Sequence, residues 1–159
     1  MKEIKLTQGK VALVDDEDFE YLNQFKWFAV KDKCTFYAIR NARKEDGTRT
    51  TVKMHRIVMK TPEGMEVDHK DGDGLNCQKY NMRNCTHAQN MINKKIGVIG
   101  TSKFKGVCWY PNYKKWRVQI TMKNKKISLG YYSSEKEAAL IYNGKAVELH
   151  GEFARINII

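Results

Sequence analysis

The 159-residue sequence predicts an α+β protein built in two parts, and three observations carry that reading. Short apolar runs bounded by Gly, Asn and Asp recur along the chain and read as strands, whereas capped helical signals occur at few places. A weakly periodic stretch with two glycines, Lys94-Lys-Ile-Gly-Val-Ile-Gly100, separates two such sets. The charge is also uneven: residues 1–100 hold 18 Lys/Arg against 14 Asp/Glu, and residues 101–159 hold 11 against 4. The expected division is 1–96, with a compact core at about 66–95, a linker at 97–101, and a second domain at 102–159.

In the first part, Lys10–Val14 is a short apolar run ending at the acidic cluster Asp15-Asp-Glu-Asp18. The cluster reads as the start of a helix through Phe25, because carboxylates favour the positive end of the helix dipole. Residues 27–30 and 36–39 read as strands, 45–48 as a turn, and 50–59 as another strand. Residues 66–95 read as strand, loop, strand and helix. Thr86 with Gln89 forms a capping box that should start that helix. In the second part, strands are expected at 104–110, 115–122 and 126–131, with turns at Asn112-Tyr113 and Lys123-Asn124. A final helix from about Glu135 to about His150 is capped by Ser134 and Glu137 and ends near Gly151. Ala138, Ile141, Tyr142, Ala146 and Leu149 should form its buried face.

The formal charge of +11 suits a polyanionic partner, because neutralising phosphates releases condensed counterions. Residues 101–134 contain eight basic residues and no acidic one. Such a single-sign stretch studded with aromatics reads as a nucleic-acid face. No apolar run approaches the roughly 20 residues needed to cross a bilayer, and no basic amphipathic helix suits a membrane surface. The N-terminus is too polar for a signal peptide, so an intracellular location is expected. Cys34, Cys77, Cys85 and Cys108 lack framework or zinc-finger spacing and are expected as free thiols. A zinc knuckle of His69, Cys77, Cys85 and His87 has the wrong ligand spacing, so no structural zinc is expected. His55 and His150 read as structural.

The stretch that could do chemistry is Val67-Asp-His-Lys-Asp-Gly-Asp-Gly-Leu-Asn76, followed by Asn81-Met-Arg83 and Thr86-His-Ala-Gln-Asn90. Phosphodiester hydrolysis needs a base to activate water and a cation on the departing oxyanion. Imidazole titrates near neutrality, so His69 suits the base. Asp68, on the other side of the strand, suits a cation, with Asn90 supplying a second oxygen from just past the first turn of the helix. Hard oxygen ligands favour one divalent ion, Mg²⁺ ahead of Mn²⁺. His87 is a candidate phosphate contact.

These residues closely resemble the ββα-metal motif of HNH homing endonucleases of phages and mobile introns. That resemblance implies His69 as general base, Asp68 and Asn90 as metal ligands, Asn81 as the residue orienting the histidine loop, and Asn76 as a brace of that loop. Met54-His55-Arg56 resembles the β-rich lead-in of such proteins. Cys77 stands where another Asn is common and Met82 where Leu is usual; neither change removes a catalytic group. The source implied is a phage-infected or bacterial cell.

Residues 101–152 resemble an AP2 DNA-binding domain, through Lys105-Gly-Val-Cys-Trp109, Lys115-Trp-Arg-Val-Gln-Ile120, Leu129-Gly130 and Glu137-Ala-Ala139. Such domains pack three antiparallel strands on one helix and lay the sheet in the major groove of double-stranded DNA. By alternation, Val107, Trp109, Trp116, Val118, Ile120, Ile127 and Leu129 face the helix. Tyr110, Arg117, Gln119, Thr121 and Ser128 then face DNA, with Lys123, Lys125 and Lys126 as phosphate contacts. Arg117 could pair with guanine and Gln119 with adenine. The outer face carries Tyr, Gln, Thr and Ser where plant-type domains use several Arg and Trp, so the target sequence does not carry over. No small-molecule cofactor is expected, and the sequence holds no signal for an oligomeric state. A non-catalytic DNA-binding regulator keeping a nuclease fold is the competing reading, opposed by the intact Asp68, His69, Asn81 and Asn90.

Overall fold

The computed structural model describes residues 1–32, 35–94, 101–122 and 125–159 of an α+β chain. It divides into two units, Met1–Asn90 and Met91–Ile159. Residues 97–100 of the expected linker, along with Cys34 and Lys123, lie outside the described residues. Among those described, no helix is long and apolar enough to cross a membrane.

The first unit opens with a hairpin of β1 (Lys2–Lys5) and β2 (Val11–Val14), then helix α1 (Asp16–Leu22). The polar N-terminus gave no strand signal, yet Ile4 is buried between Glu3 and Lys5, which stay in solvent. Next come β3 (Phe28–Asp32), β4 (Thr35–Arg43) and β5 (Arg49–Lys53), an antiparallel sheet in the order β3-β4-β5. The strand expected over 50–59 stops at Lys53, and helix α2 (Met54–Val58) follows it. The apolar spacing explains the change of element. Met54, Ile57 and Val58 recur at i, i+3 and i+4, and a helical turn lets Met54 and Val58 reach the core together. Their neighbours in that core include Ile4, Val14, Leu22, Trp27, Ala38 and Val67. Full burial of Leu22 or Met54 contributes about 1.5–3 kcal/mol each. The hairpin β6 (Glu66–His69) and β7 (Met82–Cys85) and helix α3 (His87–Asn93) complete this part of the chain.

The second unit contains an antiparallel sheet ordered β10-β9-β8, from β8 (Val107–Tyr110), β9 (Lys115–Met122) and β10 (Lys125–Tyr132). Helix α4 (Glu135–His150) packs on it through Ala138, Ala139, Tyr142 and Ala146. Ser134 caps the helix by accepting the Glu137 N–H. Ile141, expected in the buried face, is 40% exposed instead, because Ala138, Ala139, Tyr142 and Ala146 centre that face one position aside from it. Trp109 is likewise exposed where a core position was expected. It lies near the end of the short β8, its ring edge-on to Trp116 at 5.1 Å. Gly106 has φ +76°, and a Cβ there would fall 2.1 Å from the Tyr142 ring, so both conformation and space require glycine.

Candidate active site

Strands β6 and β7 pair with Asp68 opposite Arg83 and His69 opposite Met82. The connection between them is held by carboxylate and amide side chains. Asp71 Oδ1 accepts the Asp73 N–H at 2.7 Å and Asn81 Nδ2 at 3.0 Å, and Asp71 Oδ2 accepts Asn76 Nδ2 at 2.9 Å. Asn81 also donates to the Asn76 carbonyl and accepts the Asp71 N–H, so it ties both ends of the loop together. Partial burial works to raise the Asp71 carboxyl, but the Asp73 N–H, the two amides and His69 outweigh it and hold the group below its usual range.

The rest of the first unit grips this loop from two sides. Gly74 lies against β4: its N–H donates to Thr35 Oγ1 at 2.9 Å, and a Cβ would come within 2.5 Å of both the Phe36 carbonyl and the Tyr37 ring. Asp15 does not cap α1 with its side chain. It accepts the Lys79 N–H at 2.8 Å and Gln78 Nε2 at 3.2 Å, while Lys79 pairs with Glu17 and Asp18. The acidic cluster therefore serves the β6–β7 connection as well as the start of the helix.

Asp68 is 3% exposed, and its Oδ2 accepts Nε and Nη2 of Arg83 at 2.8 and 2.6 Å. Glu66, two residues earlier, faces the same side of β6. Its Oε2 accepts Asn90 Nδ2 at 2.6 Å, and its Oε1 lies 2.8 Å from His87 Nδ1. Helix α3 presents Asn90 because its first turn is fixed by the expected box: Thr86 N–H donates to Gln89 Oε1 and Gln89 N–H to Thr86 Oγ1. Glu66 lies below its usual range, held there by Asn90 and His87.

His69, on the other side of β6, is 6% exposed and belongs to a ring cluster. Its ring centroid lies 5.3 Å from that of His55 and 5.9 Å from that of Tyr37, and Tyr37 and His55 are 5.2 Å apart. Burial lowers His69 below the ordinary 6.5, with Asp71, Asp68 and Asp73 pulling the other way. His55 is pushed down to about 3 by burial, then by His69, Lys53 and Arg56. At neutral pH both imidazoles are therefore uncharged.

His55 accordingly couples stability to pH. Its folded value lies below its unfolded value, so the stability it contributes is present above about pH 6.5 and is lost as pH falls toward 3. Denaturant titrations between pH 7 and pH 4 should show a slope of about 1.4 kcal/mol per pH unit from this one proton. His55→Phe, which keeps a ring against Tyr37 and His69, removes that share of the slope. Equal slopes in both proteins would mean that His55 is protonated in the fold.

The face of the sheet that carries Tyr37 is basic. Register places Lys53 opposite Ile39, Thr51 opposite Asn41 and Arg49 opposite Arg43, and Asn41, Arg43, Arg49, Thr51 and Lys53 are all exposed. Lys53 Nζ lies 5.9 Å over the Tyr37 ring, which joins this strip to the histidine cluster.

The donor set suits a hard divalent cation. Asp68 and Asn90 carry the hard oxygens that could hold one, and among the described residues no three His, Cys, Asp or Glu side chains converge on a metal position. A cation held by these two oxygens would keep most of its shell for water and phosphate. The two buried thiols are core groups. Burial pushes Cys77 up to about 12 and Cys85 up to about 11, and they donate to the carbonyls of Gly74 and Glu66.

In the second unit the outer face of the sheet holds Cys108 and Tyr110 on β8, Arg117, Gln119 and Thr121 on β9, and Lys126 and Ser128 on β10. Thr121, Lys125, Lys126 and Ser128 are exposed; Tyr110, Arg117 and Gln119 are half-buried. A bulge between Ser128 and Gly130 shifts the register, so Tyr131 comes to lie opposite Arg117 on the outer face. Tyr110, Tyr113 and Tyr131 form a ring triangle with centroids 4.7–5.3 Å apart, and the Arg117 guanidinium lies 5.2 Å from the Tyr110 ring. That grip orients the Arg117 fork.

The sequence singled out neither Tyr37, Glu66, Asp71 nor Arg83 for the first site, and it gave His55 only a structural place. Only Glu66 and Arg83 were within its reach, through strand alternation and cross-strand pairing with Asp68.

A family model described as HNH endonuclease matches residues 52–92. The chain is 34% identical over 94 residues to Protein 3.8 of Escherichia phage T7, covering 59% of this chain and 77% of that protein. It is 32% identical over 162 residues to an uncharacterized HNH endonuclease, L560, of Acanthamoeba polyphaga mimivirus, covering 96% of this chain and 77% of that one.

Proposed function

The chain belongs to the HNH endonuclease family and is a DNA endonuclease, and on that premise we propose that it works by divalent-metal-dependent hydrolysis at the Asp68–His69 hairpin. The observation that carries the reading is the placing of His69 and Asp68 on opposite sides of one strand end, His69 buried and held neutral, Asp68 buried and paired with Arg83. A neutral buried imidazole can accept a proton from water at physiological pH. Asn81 and Asn76 hold the loop after His69, which fixes the ring's backbone. A divalent cation on the oxygens of Asp68 and Asn90, Mg²⁺ or Mn²⁺, would supply charge stabilisation for the departing oxyanion. Arg83 holds Asp68 in its rotamer through two hydrogen bonds from its guanidinium. The exposed strip Lys53, Arg43 and Arg49 leads from the histidine cluster and suits the DNA backbone.

The second unit supplies the choice of site, as an AP2-like domain whose sheet enters the major groove. Arg117, preset by Tyr110, and Gln119 are its base-reading candidates, with Tyr110, Thr121 and Ser128 beside them. Lys123, Lys125 and Lys126 serve as phosphate contacts. This arrangement, domain 102–159 joined to a nuclease domain 1–96, is that of a homing endonuclease.

Selection of cleaved sites from a random double-stranded library in Mg²⁺, read strand by strand, tests both halves. A recurring sequence on one or both strands is expected, and chelation should stop cutting. Arg117→Ala and Gln119→Ala should each relax one position of the selected site by about 1–3 kcal/mol of discrimination. Binding without cleavage in any divalent metal would make the protein a regulator. Unchanged selection in both variants would remove the sheet from recognition.

A further inference from the structure

We propose that Glu66 is a positioning residue that sets the orientation of the Asn90 amide, so that Oδ1 and not Nδ2 is offered on the Asp68 side of the hairpin; this rests on the reading of Asp68 and Asn90 as metal ligands. A primary amide has two ends of nearly equal shape and opposite character, and only the oxygen can bind a hard cation. Rotation by half a turn would present two N–H donors instead. Glu66 removes that freedom. As a carboxylate it has only acceptors, and its Oε2 takes the Asn90 Nδ2 at 2.6 Å. Turning the amide over would set Oδ1 against Oε2 and lose a charge-assisted bond.

The position of Glu66 suits this task. Residues i and i+2 of a strand share a face, so Glu66 and Asp68 project from the same side of β6, and Glu66 meets α3 there. His87 and Asn90 share one face of α3 at i and i+3. His87 Nδ1 lies 2.8 Å from the other carboxylate oxygen, so the carboxylate cannot rotate without breaking a second contact. Partners of this kind around a metal-binding side chain change metal affinity without touching the ion. A simple tie between strand and helix would use the same bonds, and the two roles separate when the amide is removed.

The experiment titrates Mn²⁺ into the full chain, followed by electron paramagnetic resonance, with thermal melts of each variant. Glu66→Gln should weaken Mn²⁺ binding about 10–100-fold, since an amide at 66 can flip and no longer dictates the Asn90 orientation. In an Asn90→Asp background the sign should reverse. Asp at 90 needs no donor, and Glu66 then repels it, so Glu66→Gln should tighten binding there. Weaker binding in Asn90→Ala with no change in Glu66→Gln overturns the role of Glu66 and leaves the ligand reading intact. Unchanged binding in both overturns the ligand reading itself. Equal loss from Glu66→Gln in both backgrounds, tracking a fall in melting temperature, overturns positioning in favour of a structural tie.

Discussion

His69→Ala should lower the rate of plasmid nicking in Mg²⁺ by about 10²–10⁴-fold while DNA binding persists. The size follows from what the side chain is placed to do. An imidazole that takes a proton from the attacking water acts in the transition state alone, so its loss falls on the catalytic rate and not on affinity. Burial supplies the second half of the expectation. Because the fold lowers His69 below 6.5, the base is unprotonated at neutral pH, and the acid limb of the wild-type rate profile should fall below that value. His55, pushed down to about 3 and turned edge-on to His69, is too weak a base to take over. Supercoiled plasmid assayed from pH 5 to pH 8 gives both readings. Cutting by His69→Ala at the wild-type rate would remove His69 from the base role.

The elements nearest the chemistry were the most legible in the sequence, because local rules govern them. The Thr86–Gln89 box, the Ser134–Glu137 box and the alternation of Trp116 to Thr121 each involve residues within a few positions of one another. The misreadings arose where distant contacts decide. Met54 to Met59 could be strand or helix by pattern; α2 forms because Met54 and Val58 fill a core shared with Trp27 and Leu22. Asp15 stands where a side chain ordinarily caps a helix, and here its carboxylate is drawn to the Lys79 N–H, 64 positions away. Gly74 looks like a turn glycine, yet its φ is ordinary and the close approach of Tyr37 is what excludes a side chain. The register shift at Gly130 brings Tyr131 to the outer face, and no local signal separates it from Tyr132. In the candidate site, Asp68, His69 and Asn90 stood out by type and spacing, and Asn76 and Asn81 through the family resemblance. The groups that hold them, Glu66, Asp71 and Arg83, became visible with the pairing of β6 and β7.

Arg83→Met should destabilise the first unit by about 3–5 kcal/mol, the cost of leaving one member of a buried ion pair without its partner. The Asp68 and Arg83 side chains are 4% and 11% exposed, so solvent screens the pair little and cannot replace the guanidinium. For a protein of this length such a loss corresponds to a fall on the order of 10 °C in melting temperature. Methionine keeps most of the volume, which separates charge from packing. Adding Asp68→Asn to Arg83→Met should return most of the stability, because the buried charge is then gone. A cation distinguishes the two functions of Asp68. If the carboxylate is a metal ligand, Mg²⁺ no longer competes with the Arg83 guanidinium in Arg83→Met and should stabilise that variant more than it stabilises wild type. Saturation at about a hundredfold excess over Kd is worth about 2.7 kcal/mol. Denaturant titrations with and without Mg²⁺ measure both quantities. A loss under about 1 kcal/mol would class the pair with exposed surface bridges, whose typical worth is that small. An equal Mg²⁺ effect in both proteins would mean that Arg83 and the cation do not address the same carboxylate.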